Sequence, residues 1–108
     1  MAQEDFKDWV NEVTLVGRVT SEADDLVLPS DEVLTRFRIV VPRFKPTTRT
    51  TVDTIDLVAF KAAIQKKAHG LAIGDVIHVE GAMRRRFWKA GASVASRAEV
   101  EVSSLRKL

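Results

Sequence analysis

The sequence contains no cysteine. That excludes disulfides, thiolate metal sites and cysteine nucleophiles, and it fits a reducing compartment. It contains two histidines, His69 and His78, at no spacing that would pair them on a metal. There is no Ser-x-Gly nucleophile elbow and no phosphate loop. Asp53 and Asp56 stand three apart in a strand-like stretch, so their side chains face opposite ways and cannot act as a pair. The expectation is a protein that is not an enzyme and carries no metal and no cofactor. No apolar run approaches the ~20 residues of a membrane span. The opening Met-Ala-Gln-Glu-Asp-Phe-Lys-Asp is acidic, so it reads neither as a secretory signal nor as an Arg-rich presequence. A cytoplasmic protein with no membrane partner is expected. Internal repeats and low-complexity segments are also missing.

What is present is 108 residues, the size of one domain with a real core. A net charge of +2 hides a lopsided distribution. Residues 1–32 carry nine acids against Lys7 and Arg18, while the remainder carries fifteen bases against six acids. Such asymmetry points to a polyanionic partner.

Residues 1–10 form an acidic leader with Phe6, Trp9 and Val10, expected to anchor on the domain that follows over 11–105. Residues 11–20 alternate as a first strand, with Val13, Leu15, Gly17 and Val19 on one face. Gly17 within a strand implies a bend or a close backbone approach. Residues 21–32 make an acidic connection in which Leu26 to Pro29 has the makings of a short extra strand. Residues 33–42 are a second strand, with Phe37, Ile39 and Val41 toward the core and Arg36, Arg38 and Val40 outward. A basic, Thr-rich loop follows, and a third strand runs over 50–60.

Residues 61–69 read as a helix with a narrow apolar stripe of Ile64 and Ala68. Gly70 ends it, and Lys66, Lys67 and His69 sit at the negative end of its dipole. A fourth strand over 74–89 starts apolar and turns cationic and aromatic. Ile77, Val79, Gly81 and Met83 are expected in the core, and Arg84, Arg86 and Trp88 in an exposed row. Residues 94–105 close the pattern, with Ala98, Val100 and Val102 inward and Arg97, Glu99 and Glu101 outward. The order is β-β-β-α-β-β. That order is the five-stranded OB-fold barrel, all-β with one helix, whose outer face and loops bind oligonucleotides. Cations interleaved with aromatics suit a ligand that is both anionic and flat, such as a single strand of nucleic acid.

Three stretches carry a family resemblance. Asn11-Glu-Val-Thr-Leu-Val-Gly-Arg-Val resembles the N-x-V-x-L-V-G-x-[VL] opening strand of bacterial single-stranded DNA-binding proteins. Asp56-Leu-Val-Ala-Phe-Lys resembles the V-x-F-[GK] end of their third strand. Gly74 to Trp88 resembles their G-[SD]-x-[VI]-x-[VI]-E-G-x-[LM]-x-x-R-x-W stretch. The resemblance implies sequence-independent binding of single-stranded DNA by base stacking and phosphate contacts, in replication, recombination and repair. It places stacking residues at Phe60 and Trp88, and another near Phe44. A further family tryptophan aligns with Thr54, which removes one platform.

The basic candidates are Arg36, Arg38, Arg43, Lys45, Arg49, Arg84, Arg86, Lys89 and Arg97. The resemblance also implies a homotetramer, with a dimer as the alternative, and Val16 on the outward face of the first strand would suit such an interface. The family's acidic, partner-recruiting tail has no counterpart before Leu108, so a short, tail-less member without tail-mediated recruitment is expected. Two alternatives remain at this point: an OB protein of replication restart resembling primosomal replication protein N, and an OB module for protein–protein assembly.

Overall fold

Alternation of apolar and polar residues builds this molecule, because a strand with one apolar face must bury it. The structure, a computed structural model, describes residues 6–108. The elements are β1 (Val13–Val19), β2 (Asp24–Val27), β3 (Val33–Pro42), β4 (Val52–Ala59), α1 (Ala62–His69), β5 (Val76–Ala90) and β6 (Ser93–Lys107). The sheet runs β1-β5-β6-β4-β3-β2, and β1 also pairs with β3. That extra pairing closes five strands into a barrel. A short extra strand exists as β2, at Asp24–Val27 rather than from Leu26 to Pro29, and it lies outside the barrel on the edge of β3. The order with one helix between the third and fourth barrel strands is that of the OB-fold.

The barrel core holds Val19, Phe37, Ile39, Leu57, Ile77, Val79, Val100, Val102 and Leu105. Each fully buried aliphatic side chain among them contributes roughly 1.5–3 kcal/mol. Closure depends on two glycines. A Cβ at Gly17 would run into the carbonyl oxygen of Val40, where β1 crosses to β3. A Cβ at Gly81 would run into the carbonyl of Glu101, at a register shift between β5 and β6. Such an irregularity bends the strand and increases its twist.

The helix plugs one end of the barrel with Ile64 and Ala68. Gln65 Nε2 donates to the carbonyls of Val33 and Ala59 at 2.9 and 3.0 Å, which ties the helix to β3 and β4. Lys67 Nζ donates to Leu105 O at 3.3 Å. At the last turn, His69 Nε2 lies 2.7 Å from Asp25 Oδ1, which also accepts from Thr35 Oγ1 at 2.6 Å. The helix therefore holds β2 through a polar clasp. Hydrogen bonds from Thr35 and then from His69 hold the Asp25 carboxyl below its ordinary value.

Three expectations about burial need correction. Met83 is 46% exposed and Ala98 is exposed, although both follow the inward alternation. Both line an open hollow at the mouth of the barrel, with Val13, Leu15 and Ile55, where β5 and β6 run on as a paired hairpin to Ala90 and Ser93. Glu99 lies on the outward face by parity yet is buried, because an arginine covers it.

The leader does not anchor by its aromatics. Phe6 and Trp9 are exposed and pack on each other, with ring centres 4.7 Å apart. The tie to the domain comes just after it, at Asn11, and is polar. Asn11 Nδ2 donates to Met83 O, and Asn11 Oδ1 accepts from Met83 N, both at 2.8 Å. The part of the leader over residues 1–5 lies outside the described residues.

Candidate nucleic-acid interface

Strand parity decides which side chains share the outer face. In the β3–β4 pair, Arg36 stands opposite Val58, Arg38 opposite Asp56 and Val40 opposite Thr54. β6 joins β4 in parallel, with Val58 opposite Glu101. β5 then adds Ala82 opposite Glu101, Arg84 opposite Glu99, Arg86 opposite Arg97 and Trp88 opposite Ala95. One continuous surface over four strands therefore carries Arg36, Arg38, Arg84, Arg86 and Arg97 with Trp88. Phe60, just past β4, joins them through its contact with Arg84.

The arginines on this face are not bare. Arg36 binds Asp24 through Nε and Nη2 at 3.0 and 2.8 Å. Arg38 Nε donates to Asp56 at 2.7 Å, and Arg97 Nη1 lies 3.9 Å from the other oxygen of Asp56. Arg84 Nη1 donates to Glu101 at 2.6 Å. Arg86 grips Glu99 with Nη2 at 2.7 Å and Nε at 3.2 Å. Sequence parity puts Arg86 in the exposed row, but its side chain is 12% exposed and that of Glu99 2%. An open cleft of about 370 Å³ runs over the middle of the face, lined by Arg36, Arg38, Asp56, Arg97 and Glu99 among others.

Two of the arginines also meet rings. The Arg84 guanidinium carbon lies 4.7 Å from the centre of the Phe60 ring, and that of Arg86 lies 4.9 Å from the Trp88 ring. Both distances are within cation–π range. Trp88 remains 37% exposed and Phe60 is half-buried.

The candidate cations without an ion pair sit on two projections. The β3–β4 loop carries Arg43, Phe44, Lys45 and Arg49, and the β5–β6 hairpin carries Lys89 near its tip. Among the described residues these four cations form no ion pair. Phe44 is 91% exposed. The loop has a fixed base: Arg43 N donates to Thr51 O at 3.0 Å, and Thr47 Oγ1 accepts from Thr50 N at 2.9 Å. Because β6 runs parallel to β4, the start of β4 and the start of β6 lie at the same end of the barrel. Loop and hairpin therefore project from one end, on either side of the shared face.

All twelve candidate residues thus fall on this face or on the two projections beside it. What the sequence did not reveal is the set of carboxylates, Asp24, Asp56, Glu99 and Glu101, that pair with its arginines. The signal was there in part, since Glu99 and Glu101 alternate outward with Arg97. Among the described residues there is no cluster of three metal-ligating side chains, and no helix is long and apolar enough to cross a membrane.

Residues 10–108 match the model of the Single-strand binding protein family. No curated protein matches the sequence. Among solved structures, one described as "Plasmodium falciparum SSB complex with ssDNA" superposes with a TM-score of 0.74. It shares 20% identity over 100% of this chain and 99% of that one. At that identity the likeness concerns the fold.

Proposed function

The chain belongs to the single-strand binding protein family, and single-stranded DNA is the ligand its fold serves; we propose that it binds without sequence preference, across the outer face of β3, β4, β6 and β5. Phe60 and Trp88 stack bases, with Phe44 reaching in from its loop. Arg43, Lys45, Arg49 and Lys89 take phosphates, and Arg36, Arg38, Arg84 and Arg97 line the path between. Every base has a π-face and every nucleotide a phosphate, so such a surface reads neither sequence nor groove. This is a binding role, in which the protein protects single strands in the cytoplasm during replication, recombination and repair.

One observation carries the reading. A continuous four-strand face joins two aromatic rings to arginines, and two arms with unpaired cations project beside it from one end of the barrel. A homo-oligomer fits β1, which pairs with β3 only at Arg18 and Val19 and carries an exposed Val16. A tetramer is the family's usual state and a dimer the alternative.

The test is intrinsic fluorescence in a Trp9→Phe background, which leaves Trp88 as the only reporter. Oligo(dT) should quench it at saturation, and Trp88→Ala should weaken binding of a labelled oligo(dT) while the protein stays folded. Affinity should also fall with salt, at a slope of about −0.7 per phosphate contact. No quenching together with a flat salt titration would refute the proposal.

A further inference from the structure

We propose that Glu99 and Glu101 are positioning residues for strand binding. Acting through Arg86 and Arg84, they close one face of Trp88 and of Phe60 and leave the other for a base. The inference rests on the reading that this face binds single-stranded DNA, and it assigns a role to carboxylates that an anionic ligand would otherwise be expected to disfavour.

The geometry repeats. Arg84 stands directly opposite Glu99, yet it bonds diagonally to Glu101; Arg86 stands opposite Arg97, yet it bonds diagonally to Glu99. Both arginines lean the same way by one pair along the hairpin. Each then presents its guanidinium to a ring, Arg84 to Phe60 at 4.7 Å and Arg86 to Trp88 at 4.9 Å. The result is two successive acid–arginine–aromatic stacks, with the acids from β6 and the arginines from β5.

Burial separates this role from phosphate binding. Glu99 is 2% exposed, and Arg86 holds both of its oxygens. Were Arg86 to turn toward a phosphate, it would leave a carboxylate buried without a partner, which is strongly unfavourable. Arg86 therefore stays on Glu99 and serves as the floor beneath Trp88. The Arg84–Glu101 pair is more open, at 42% and 44% exposure, and supports Phe60 in the same way. A ring on an exposed strand that is already held in one orientation loses less freedom when a base lands on it.

The two roles open to the acids predict opposite signs. If they only neutralise the face, Glu99→Gln and Glu101→Gln remove a negative charge and tighten binding. If they position the rings, both weaken it. Labelled oligo(dT) is titrated across a salt series against the full chain with Trp9→Phe. We expect each variant to bind about tenfold more weakly, which corresponds to part of one stacking platform. The salt slope should stay that of the parent. In Glu99→Gln the steady-state anisotropy of Trp88 should fall before any DNA is added, a change that charge alone would not cause.

The Glu101 side chain is 44% exposed, against 2% for Glu99, so Glu101→Gln keeps the test alive if Glu99→Gln does not fold. Binding as tight as the parent or tighter would overturn the inference. So would a loss of about 0.7 from the salt slope in Arg86→Gln, which would mark Arg86 as a phosphate contact. A parent protein that does not bind oligo(dT) at all would instead overturn the functional reading on which the inference rests.

Discussion

Arg38 and Asp56 face each other across β3 and β4, and the guanidinium donates to the carboxylate at 2.7 Å. Asp56 also lies 3.9 Å from Arg97 on β6. One acid thus holds two of the arginines expected to meet a strand. Unlike Glu99, it is open enough to give them up, at 30% exposure. Open ion pairs of this kind contribute about 0–1 kcal/mol. Asp56→Asn should therefore leave the melting temperature nearly unchanged. It should tighten oligo(dT) binding and steepen the salt dependence by about 0.7 for each arginine newly free to meet a phosphate. Titrations at several salt concentrations would check this, and a slope equal to that of the parent would place both arginines off the phosphate track.

Thr54 stands opposite Val40 on the same face, one outward pair beyond Arg38 and Asp56. Neither offers a stacking surface. Thr54→Trp should restore the missing platform and strengthen oligo(dT) binding by about 1–3 kcal/mol. Equilibrium binding at fixed salt measures it. Unchanged affinity would mean that the bases do not pass over this pair.

Gly17→Ala tests how the barrel closes. The added methyl would meet the Val40 carbonyl oxygen and would approach Val41 Cγ1 to 3.0 Å and Ile39 Cδ1 to 3.1 Å. A backbone carbonyl in a sheet has little room to move, so the cost should be that of overpacking, about 1–3 kcal/mol. Urea unfolding would read this as a lower midpoint at an unchanged slope.

The clasp between β2 and α1 should show in the acid limb of stability. The folded-state pKa of Asp25 lies below its ordinary value of 3.8, through the hydrogen bonds from Thr35 and then His69. A depressed carboxylate contributes stability that is fully present above the unfolded value and is lost as pH falls through the folded one. Asp25→Asn should therefore lower the melting temperature at pH 7, with the difference from the parent shrinking as pH is brought below about 3.8. A deficit of the same size throughout would show that the charge on Asp25 is not what the clasp uses.

Alternation with a period of two placed Phe37, Ile39, Ile77, Val79, Val100 and Val102 correctly within their strands, because a half-buried strand must segregate its faces. The same parity put Arg84, Arg86 and Trp88 on one side. It failed at Met83 and Ala98, because alternation tells which way a side chain points and not whether anything lies in that direction. At the mouth of the barrel these two side chains line an open hollow instead. The aromatic leader failed for a related reason. Apolar residues at a terminus look like an anchor, but the hydrogen bonds of Asn11 to Met83 hold the chain, while Phe6 and Trp9 pack on each other and stay exposed.

The sequence by itself determined the strand order, the helix and its Gly70 stop, the glycine needed where β1 crosses β3, and the residue types suited to a single strand. Those are local or periodic properties, written in the spacing of neighbours along the chain. Only the tertiary structure decided the pairing. β6 lies parallel to β4 and antiparallel to β5, and this brings Asp56, Glu99 and Glu101 against arginines far from them along the chain. Charge counted along a sequence records how many arginines there are. Which of them are free, and which serve to hold a ring, depends on the acid that the fold sets beside each one.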